Sequence, residues 1–327
     1  MLYLLAVTFI IAFYITKAIY ASRELDPSHK IVVVTGCDSG IGHSLALTAV
    51  RTWGCVVVGT CLEPDGDAGR ILRAAGIHVV KLDLTEEDST KELLEVVNRL
   101  EANGKTLWSL VNNAGVLTIA ACEWQTEEQI VTQQIQVNLT GAIQVTSRLL
   151  PKIRRNKGRI VMVSSPTGQV ACPNMSVYSA SKFGIEGFAQ ALRREVGPLG
   201  VKISIVRPCN LPNQTGLLRD NARRLRHMID RASEETRLDY GSLMEQTESH
   251  FARGFAYVQQ IQDIKDDLLL LCFRVAVLSQ DPKRVYAAAP LLVRLYLALA
   301  QVLPSEYVDY LVLKGYHEKI MSLALMH

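Results

Sequence analysis

The chain has 327 residues, 49% of them hydrophobic and 20% charged, the composition of a folded protein with a large core and some membrane-directed surface. A formal net charge of +3 is too small to point to nucleic acid, so the basic runs at 152–159 and 219–231 read as solvated faces. Seven cysteines, with no CxxC pair, imply neither a disulfide framework nor a metal site and fit a reducing compartment.

The chain opens on MLYLLAVTFIIAFYITKAIYAS, almost uninterrupted apolar sequence whose one charge, Lys17, is placed to snorkel. It lacks the Arg-rich amphipathic character of a mitochondrial presequence and the A-x-A-like site of a cleaved signal peptide. Residues 1–22 are therefore expected to form a transmembrane signal-anchor helix, followed by a linker at 23–29. Lys17, Arg23 and Lys30 lie on its C-terminal side, which places the body of the protein in the cytosol. An uncleaved anchor points to the endoplasmic reticulum membrane, with a mitochondrial membrane as the alternative. N-x-[ST] matches at Asn138, Asn174 and Asn213 would matter only in a lumenal protein.

Strands are expected at 30–36, 55–60, 78–84, 109–115, 158–165 and 201–208, with helices near 41–53, 66–75, 86–102, 125–155 and 176–197. Apolar β-branched runs separated by helices define an α/β chain with a single doubly wound parallel sheet of the Rossmann type. From about 214 the alternation stops. Residues 215–280 read as a polar helical lid over a binding cleft, and 284–313 as an apolar C-terminal region broken by Pro304. That region is open to two readings: a buried helix with a dimer surface, or a face in contact with membrane. The catalytic domain spans 30–313, and 314–327 form a tail.

The first strand runs into TGCDSGIG (35–42) and then a helix. Gly36, Gly40 and Gly42 let the backbone turn tightly and approach a pyrophosphate at the helix N-terminus. The spacing is G-x-x-x-G-x-G, and its place after a strand, opening a helix in the first βα unit, gives it weight. Thr35, Asp38, Ser39 and Ile41 complete the loop. Asp38 would repel a 2′-phosphate, and Thr60-Cys61-Leu62-Glu63 offers no base to bind one, so NAD is expected over NADP.

In SSPTGQVACPNMSVYSASK (164–182), Tyr178 stands four residues before Lys182 and thirteen after Ser165. A free tyrosine titrates near ~10 and is a poor base at neutral pH. The lysine at i+4 is expected to favour the phenolate and pull that value down. Ser165 would hold a substrate oxygen against the phenol, so the trio moves a proton to or from an alcohol or carbonyl. The hydride needs a cofactor.

TGCDSGIG, Asp83 in LDL, NNAG (112–115), Asn138 in QVNLTGA, Ser165 and Tyr178-x-x-x-Lys182 together resemble the short-chain dehydrogenase/reductase family. TGCDSG, LPKIRRNKGRIVMVSS and YSASKFGIEGF are similar to its branch of retinol, 11β- and 17β-hydroxysteroid, and 3-hydroxybutyrate dehydrogenases. The resemblance runs over about residues 30–313. It implies that Tyr178 is the general acid/base, that Ser165 and Tyr178 bind the substrate oxygen, and that Lys182 also grips the nicotinamide ribose. It implies further that Asn138 supports a proton-carrying water chain. Asp83, Leu84, Asn112, Ala114 and Gly115 would line the adenine side, with Pro208 and Thr215 completing the cofactor set.

One departure stands out: Arg207-Pro208-Cys209 replaces the family's Pro-Gly after the sixth strand. A side chain at Cys209 would narrow the site or, at positive φ, strain the backbone. Arg207 and the arginines at 219–226 are in turn candidate partners for a substrate carboxylate. The resulting expectation is an NAD-dependent oxidoreductase acting on the alcohol or carbonyl of a lipophilic molecule, a steroid or sterol before a retinoid. The alternatives are a 3-hydroxybutyrate-type hydroxy-acid dehydrogenase and, in another class, a cofactor-binding membrane scaffold. A homodimer or homotetramer is the expected assembly.

Overall fold

The computed structural model describes residues 23–318 except 87, 126–127, 210–215, 219–220, 256–263 and 265–266. The expected anchor at 1–22, Asn213, Thr215 and residues 319–327 lie outside the described residues.

The strands are β1 Lys30–Val34, β2 Val56–Cys61, β3 His78–Lys81, β4 Thr106–Asn112, β5 Arg159–Val163, β6 Lys202–Pro208 and β7 Val285–Ala288. They form one seven-stranded sheet in the order β3-β2-β1-β4-β5-β6-β7, with every pairing parallel. The helices, in chain order, are α1 Gly40–Arg51, α2 Asp67–Ala74, α3 Thr90–Ala102, α4 Glu128–Ile135, α5 Ala142–Arg155 and α6 Ser176–Val196. They continue as α7 Asn221–Arg231, α8 Glu234–Phe255, α9 Asp267–Leu278, α10 Leu291–Leu299 and α11 Ser305–Glu318.

Both faces of the sheet are buried, which is why its strands read as continuous apolar runs. Alternate residues of β1 serve opposite cores: Ile31 and Val33 pack with α3, α5 and α6, whereas Val32 and Val34 pack with α1, α2 and α9. The first core gathers Leu93, Val97, Leu149, Ile153, Ile185 and Leu192; the second gathers Leu45, Leu72, Leu269 and Phe273.

Three expectations change. The helical stretch expected over 215–280 is not one excursion from the sheet, because α9 belongs to the core: Leu269 and Phe273 are fully buried. Trp108 Nε1 donates to Val277 O at 2.9 Å, and Arg159 donates to the carbonyls of Ser279 and Gln280 at 3.1 and 3.2 Å. The helix expected at 125–155 is interrupted by a π-helical turn, Gln136–Gly141, of the kind often found at functional sites. Strand β7 was not anticipated, because VYAA is short and alanine-rich. It pairs with β6 through Arg207↔Ala287 and Pro208↔Ala288.

The apolar C-terminal region is two helices parted at Pro304, and its side chains mostly face outward. Leu291, Leu292, Leu295 and Leu299 are exposed and Leu297 is buried, so α10 is not a core helix. Among the described residues no helix is long and apolar enough to cross a membrane.

Candidate active site

Chain order reverses between β1 and β4, which are sheet neighbours, and in a doubly wound sheet the carboxyl ends of the strands at such a point form the ligand-binding crevice. The glycine loop leaves β1 at this point. Gly36 and Gly40 have φ of 71° and 61°, a region that disfavours other residues. A Cβ on Gly36 would lie 2.8 Å from Ala114 Cα, and one on Gly42 would lie 2.1 Å from Gly36 O. The loop is therefore packed against itself and against NNAG. Ser39 is the N-cap of α1 but makes no side-chain capping bond, so the first-turn N–H groups are available to an anion. Ile41 is half-buried against the core. These residues fit a dinucleotide pyrophosphate.

Thr35 ties the two loops together, its hydroxyl accepting from the N–H groups of Asn113 and Ala114, both at 3.0 Å. The two asparagines of NNAG diverge, as successive residues leaving a strand do. Asn112 donates into the core, to Thr146 Oγ1 at 2.9 Å and to Met162 Sδ at 3.3 Å. Asn113, which the motif reading passed over, donates to Thr35 O at 2.9 Å and to Gly36 O at 3.1 Å.

Asp38 accepts from the Leu62 N–H at 2.9 and 3.1 Å and from the Glu63 N–H at 3.2 Å. Its carboxylate thus stands at the exit of β2, where the dinucleotide motif places a ribose-binding acid. Asp83 accepts from Thr85 N and Oγ1 at 2.8 and 2.6 Å, while its own N–H donates to Ser89 Oγ at 2.6 Å. Leu84 is buried, and its carbonyl accepts from Gln136 Nε2 at 3.0 Å at the start of the π turn.

The side chains expected to move the proton gather at the end of β5, on the π turn and on α6. Asn138, carried by the π turn and buried, accepts from the Val116 N–H at 2.7 Å. It donates to Val116 O at 2.8 Å and to Ser181 Oγ at 3.1 Å. A Cβ on Gly115 would lie 3.3 Å from Asn138 Oδ1 and 3.6 Å from Lys182 Nζ, so the backbone there passes close to both. Ser165 caps the short turn Pro166–Gly168, accepting from Thr167 N at 3.2 Å and Thr167 Oγ1 at 2.9 Å. It also hydrogen-bonds the Tyr178 phenol.

Lys182 Nζ donates to Val163 O at 3.0 Å and sits 5.6 Å from the centroid of the Tyr178 ring. Burial pushes the Tyr178 phenol up to about 12, opposed by the Ser165 hydrogen bond. Burial likewise pulls the Lys182 ammonium down to about 8, opposed by the Glu186 carboxylate. The expected lowering of the tyrosine by its i+4 lysine is thus corrected: desolvation governs the phenol, and the group that opposes it is Ser165.

Cys209 follows Pro208, and its N–H donates to Ala288 O at 3.1 Å. Among the described residues, the non-glycines with positive φ are Lys157 and Asn174, so Cys209 carries no left-handed strain. Backbone strain at Cys209 is therefore no ground for a disabled scaffold. Arg207 does not face a vacant carboxylate site, because Glu186 engages it at 2.7 and 2.6 Å.

Above this group lie α7 and α8. Asn221 Oδ1 accepts from the Ile119 N–H at 3.0 Å, and Tyr240 meets Trp124 edge-on at 5.9 Å. Tyr178 belongs to a buried cluster with Leu117, Ile119, Trp124, Leu225, Met228 and Met244.

A Ser–Tyr–Lys group beside a glycine loop that fits a dinucleotide is the arrangement expected of an oxidoreductase working on CH–OH groups. The family model described as short chain dehydrogenase matches residues 30–223, and the chain belongs to this family. Mitochondrial D-beta-hydroxybutyrate dehydrogenase of Rattus norvegicus is 37% identical over 233 residues, 69% of this chain and 68% of that protein. Human 17-beta-hydroxysteroid dehydrogenase type 6 is 33% identical over 292 residues, 88% of this chain and 89% of its own. Retinol dehydrogenase 7 of Mus musculus is 33% identical over 266 residues, 79% and 80% of the two chains. The protein is a short-chain dehydrogenase of the branch that contains these enzymes.

Proposed function

We propose that the protein oxidises a secondary or allylic alcohol of a lipophilic molecule, a steroid or sterol before a retinoid, with NAD as acceptor. One observation carries the substrate class: Tyr178 is packed among Leu117, Ile119, Trp124, Leu225, Met228 and Met244, a surrounding that favours an apolar body beside the reacting oxygen. The similarity to steroid and retinol dehydrogenases supports the same class.

When bound, the nicotinamide supplies the hydride acceptor. Ser165 donates to or accepts from the substrate oxygen and holds it against Tyr178, whose phenolate takes the hydroxyl proton. Lys182 steadies that phenolate electrostatically and reaches the cofactor ribose. Asn138, pinned to Val116 by two hydrogen bonds, keeps the π turn open beside Lys182 for proton exit. The preference for NAD rests on Asp38 at the β2 exit, where a 2′-phosphate would meet a carboxylate.

A 3-hydroxybutyrate-type activity is the second reading, favoured by the similarity to that dehydrogenase. Its carboxylate would need a cation, and Glu186 already takes Arg207. Residues 1–22 are proposed to anchor a homodimer or homotetramer in the endoplasmic reticulum membrane with its catalytic domain in the cytosol.

Purified protein with NAD, offered hydroxysteroids, retinol and 3-hydroxybutyrate, tests the substrate reading. Turnover of a steroid or retinol that Tyr178→Phe abolishes, with NADH still bound, is the expected result. Exclusive turnover of 3-hydroxybutyrate would replace the lipophilic reading, and near-normal kcat in the phenylalanine variant would remove the acid/base role.

A further inference from the structure

Behind the proton-transfer group, four side chains lock together. Glu186, one turn beyond Lys182 on α6 and buried, accepts from Ser164 Oγ at 2.7 Å. It also accepts from Arg207 Nε at 2.7 Å and Arg207 Nη2 at 2.6 Å, a bidentate pairing of guanidinium and carboxylate. The third nitrogen, Nη1, donates to Gln169 Oε1 at 2.7 Å, and Gln169 Nε2 donates to Leu297 O of α10 at 3.0 Å.

A buried ion pair is a poor source of stability, because desolvation offsets its attraction. What it fixes here is geometry. Strands β5 and β6 are paired through Val163↔Val206, and Ser164 N still donates to Val206 O at 2.8 Å. Past that point each strand exits toward the site: β5 through Ser164 to Ser165, and β6 through Arg207 to Pro208 and Cys209. The Glu186 carboxylate bridges these two exits, holding Ser164 on one side and Arg207 on the other. The bridge leaves no slack, since a Cβ on Gly168 would lie 2.5 Å from Ser164 Oγ and 3.1 Å from Glu186 Oε1. Lys182 is the other charged neighbour of Glu186, and its ammonium is held at Val163 O.

We propose that Glu186 and Arg207 are positioning residues that set the separation between Ser165 and the Pro208–Cys209 end of β6, and with it the placement of the alcohol against the nicotinamide end of the cofactor. The proposal rests on the roles assigned to Ser165 and the cofactor loop above. Arg207 then acts through the backbone and not as a ligand for substrate.

The test uses the full chain with Glu186→Gln, Arg207→Gln, the double variant and Arg207→Lys. Affinities for NADH and for ADP-ribose, which lacks the nicotinamide, are read by fluorescence and competition. Each glutamine variant is expected to weaken NADH by about three- to tenfold and ADP-ribose by less than about twofold, and the double variant to be no worse than either single one. With a steroid alcohol deuterated at its carbinol carbon, kcat falls and the isotope effect on kcat rises, while Arg207→Lys recovers part of the loss. A merely structural role lowers the folded fraction, weakens both ligands alike and leaves the isotope effect unchanged. That result, or additive losses in the double variant, overturns the proposal. The NADH to ADP-ribose comparison needs no turnover, so a wild type inactive on every alcohol overturns the substrate reading while this comparison still decides the positioning role.

Discussion

Asn113 Nδ2 donates to the carbonyl of Gly36 at 3.1 Å, so the residue after β4 holds the glycine loop that leaves β1. The same nitrogen donates to Thr35 O at 2.9 Å. Leaving both carbonyls without this donor costs about 1–3 kcal/mol, and the loop should lose its preset shape. Asn113→Ala is expected to weaken NADH binding by about tenfold or more, with kcat at saturating cofactor less affected. Calorimetric Kd values for NADH check this. An unchanged Kd would show that the glycines alone hold the loop.

Asp38 joins that loop to the exit of β2 through the N–H groups of Leu62 and Glu63. Asp38→Asn keeps an acceptor for those donors and removes the charge, whereas Asp38→Lys adds a partner for a 2′-phosphate. The ratio of kcat/KM for NADP to that for NAD should rise in both, by about tenfold or more for the lysine. If the wild type has a lower KM for NADP at equal kcat, the assigned preference is wrong.

Lys182 carries a stability cost that depends on pH. Its value in the folded chain is about 8, below the ordinary 10.5. Between these values the unfolded chain binds a proton that the folded chain does not, so the Lys182 contribution to stability rises with pH across that window. Below about pH 8 the full penalty applies, roughly 3 kcal/mol for such a shift. Lys182→Met removes the penalty and leaves Val163 O without its donor, a loss of about 1 kcal/mol. The methionine variant should therefore be inactive yet more stable at neutral pH by about 2 kcal/mol, with the gap closing toward pH ~10. Urea unfolding at several pH values measures it; a gap that widens with pH would contradict the assignment.

Cys209 is unstrained, so restoring glycine there relieves nothing in the backbone. Cys209→Gly should cost about 0.5–1 kcal/mol through greater freedom of the unfolded chain. Turnover should persist, with a wider range of alcohols as the pocket opens. Burial also raises the Cys209 thiol, so it should alkylate slowly at neutral pH. Loss of activity in the glycine variant would mean that the sulfur itself contacts a reacting group.

By itself the sequence determined what local pattern encodes. Runs such as IVVV (31–34), apolar at every position, announce strands buried on both faces, and their alternation with helices announces a doubly wound sheet. TGCDSGIG announces a loop that must turn and pack closely, because Gly36 and Gly40 take positive φ, a region that favours glycine. Four-residue spacing puts Tyr178 and Lys182 on one face of α6 whatever surrounds them. The tertiary structure alone decided the remainder, because it depends on residues far apart in the chain. Asn113 meets Gly36 only because β1 and β4 are neighbours, and Arg207 meets Glu186 only where β6 lies beside α6. The apolar stretch of α9 looks the same to a sequence reading whether it covers a cleft or a sheet; burial of Phe273 in the same cluster as Val34 and Val206 made it core. Proton affinity at Tyr178 was decided the same way. The i+4 spacing of Lys182 is written locally, but the desolvation that raises the phenol comes from the whole fold closing over the ring.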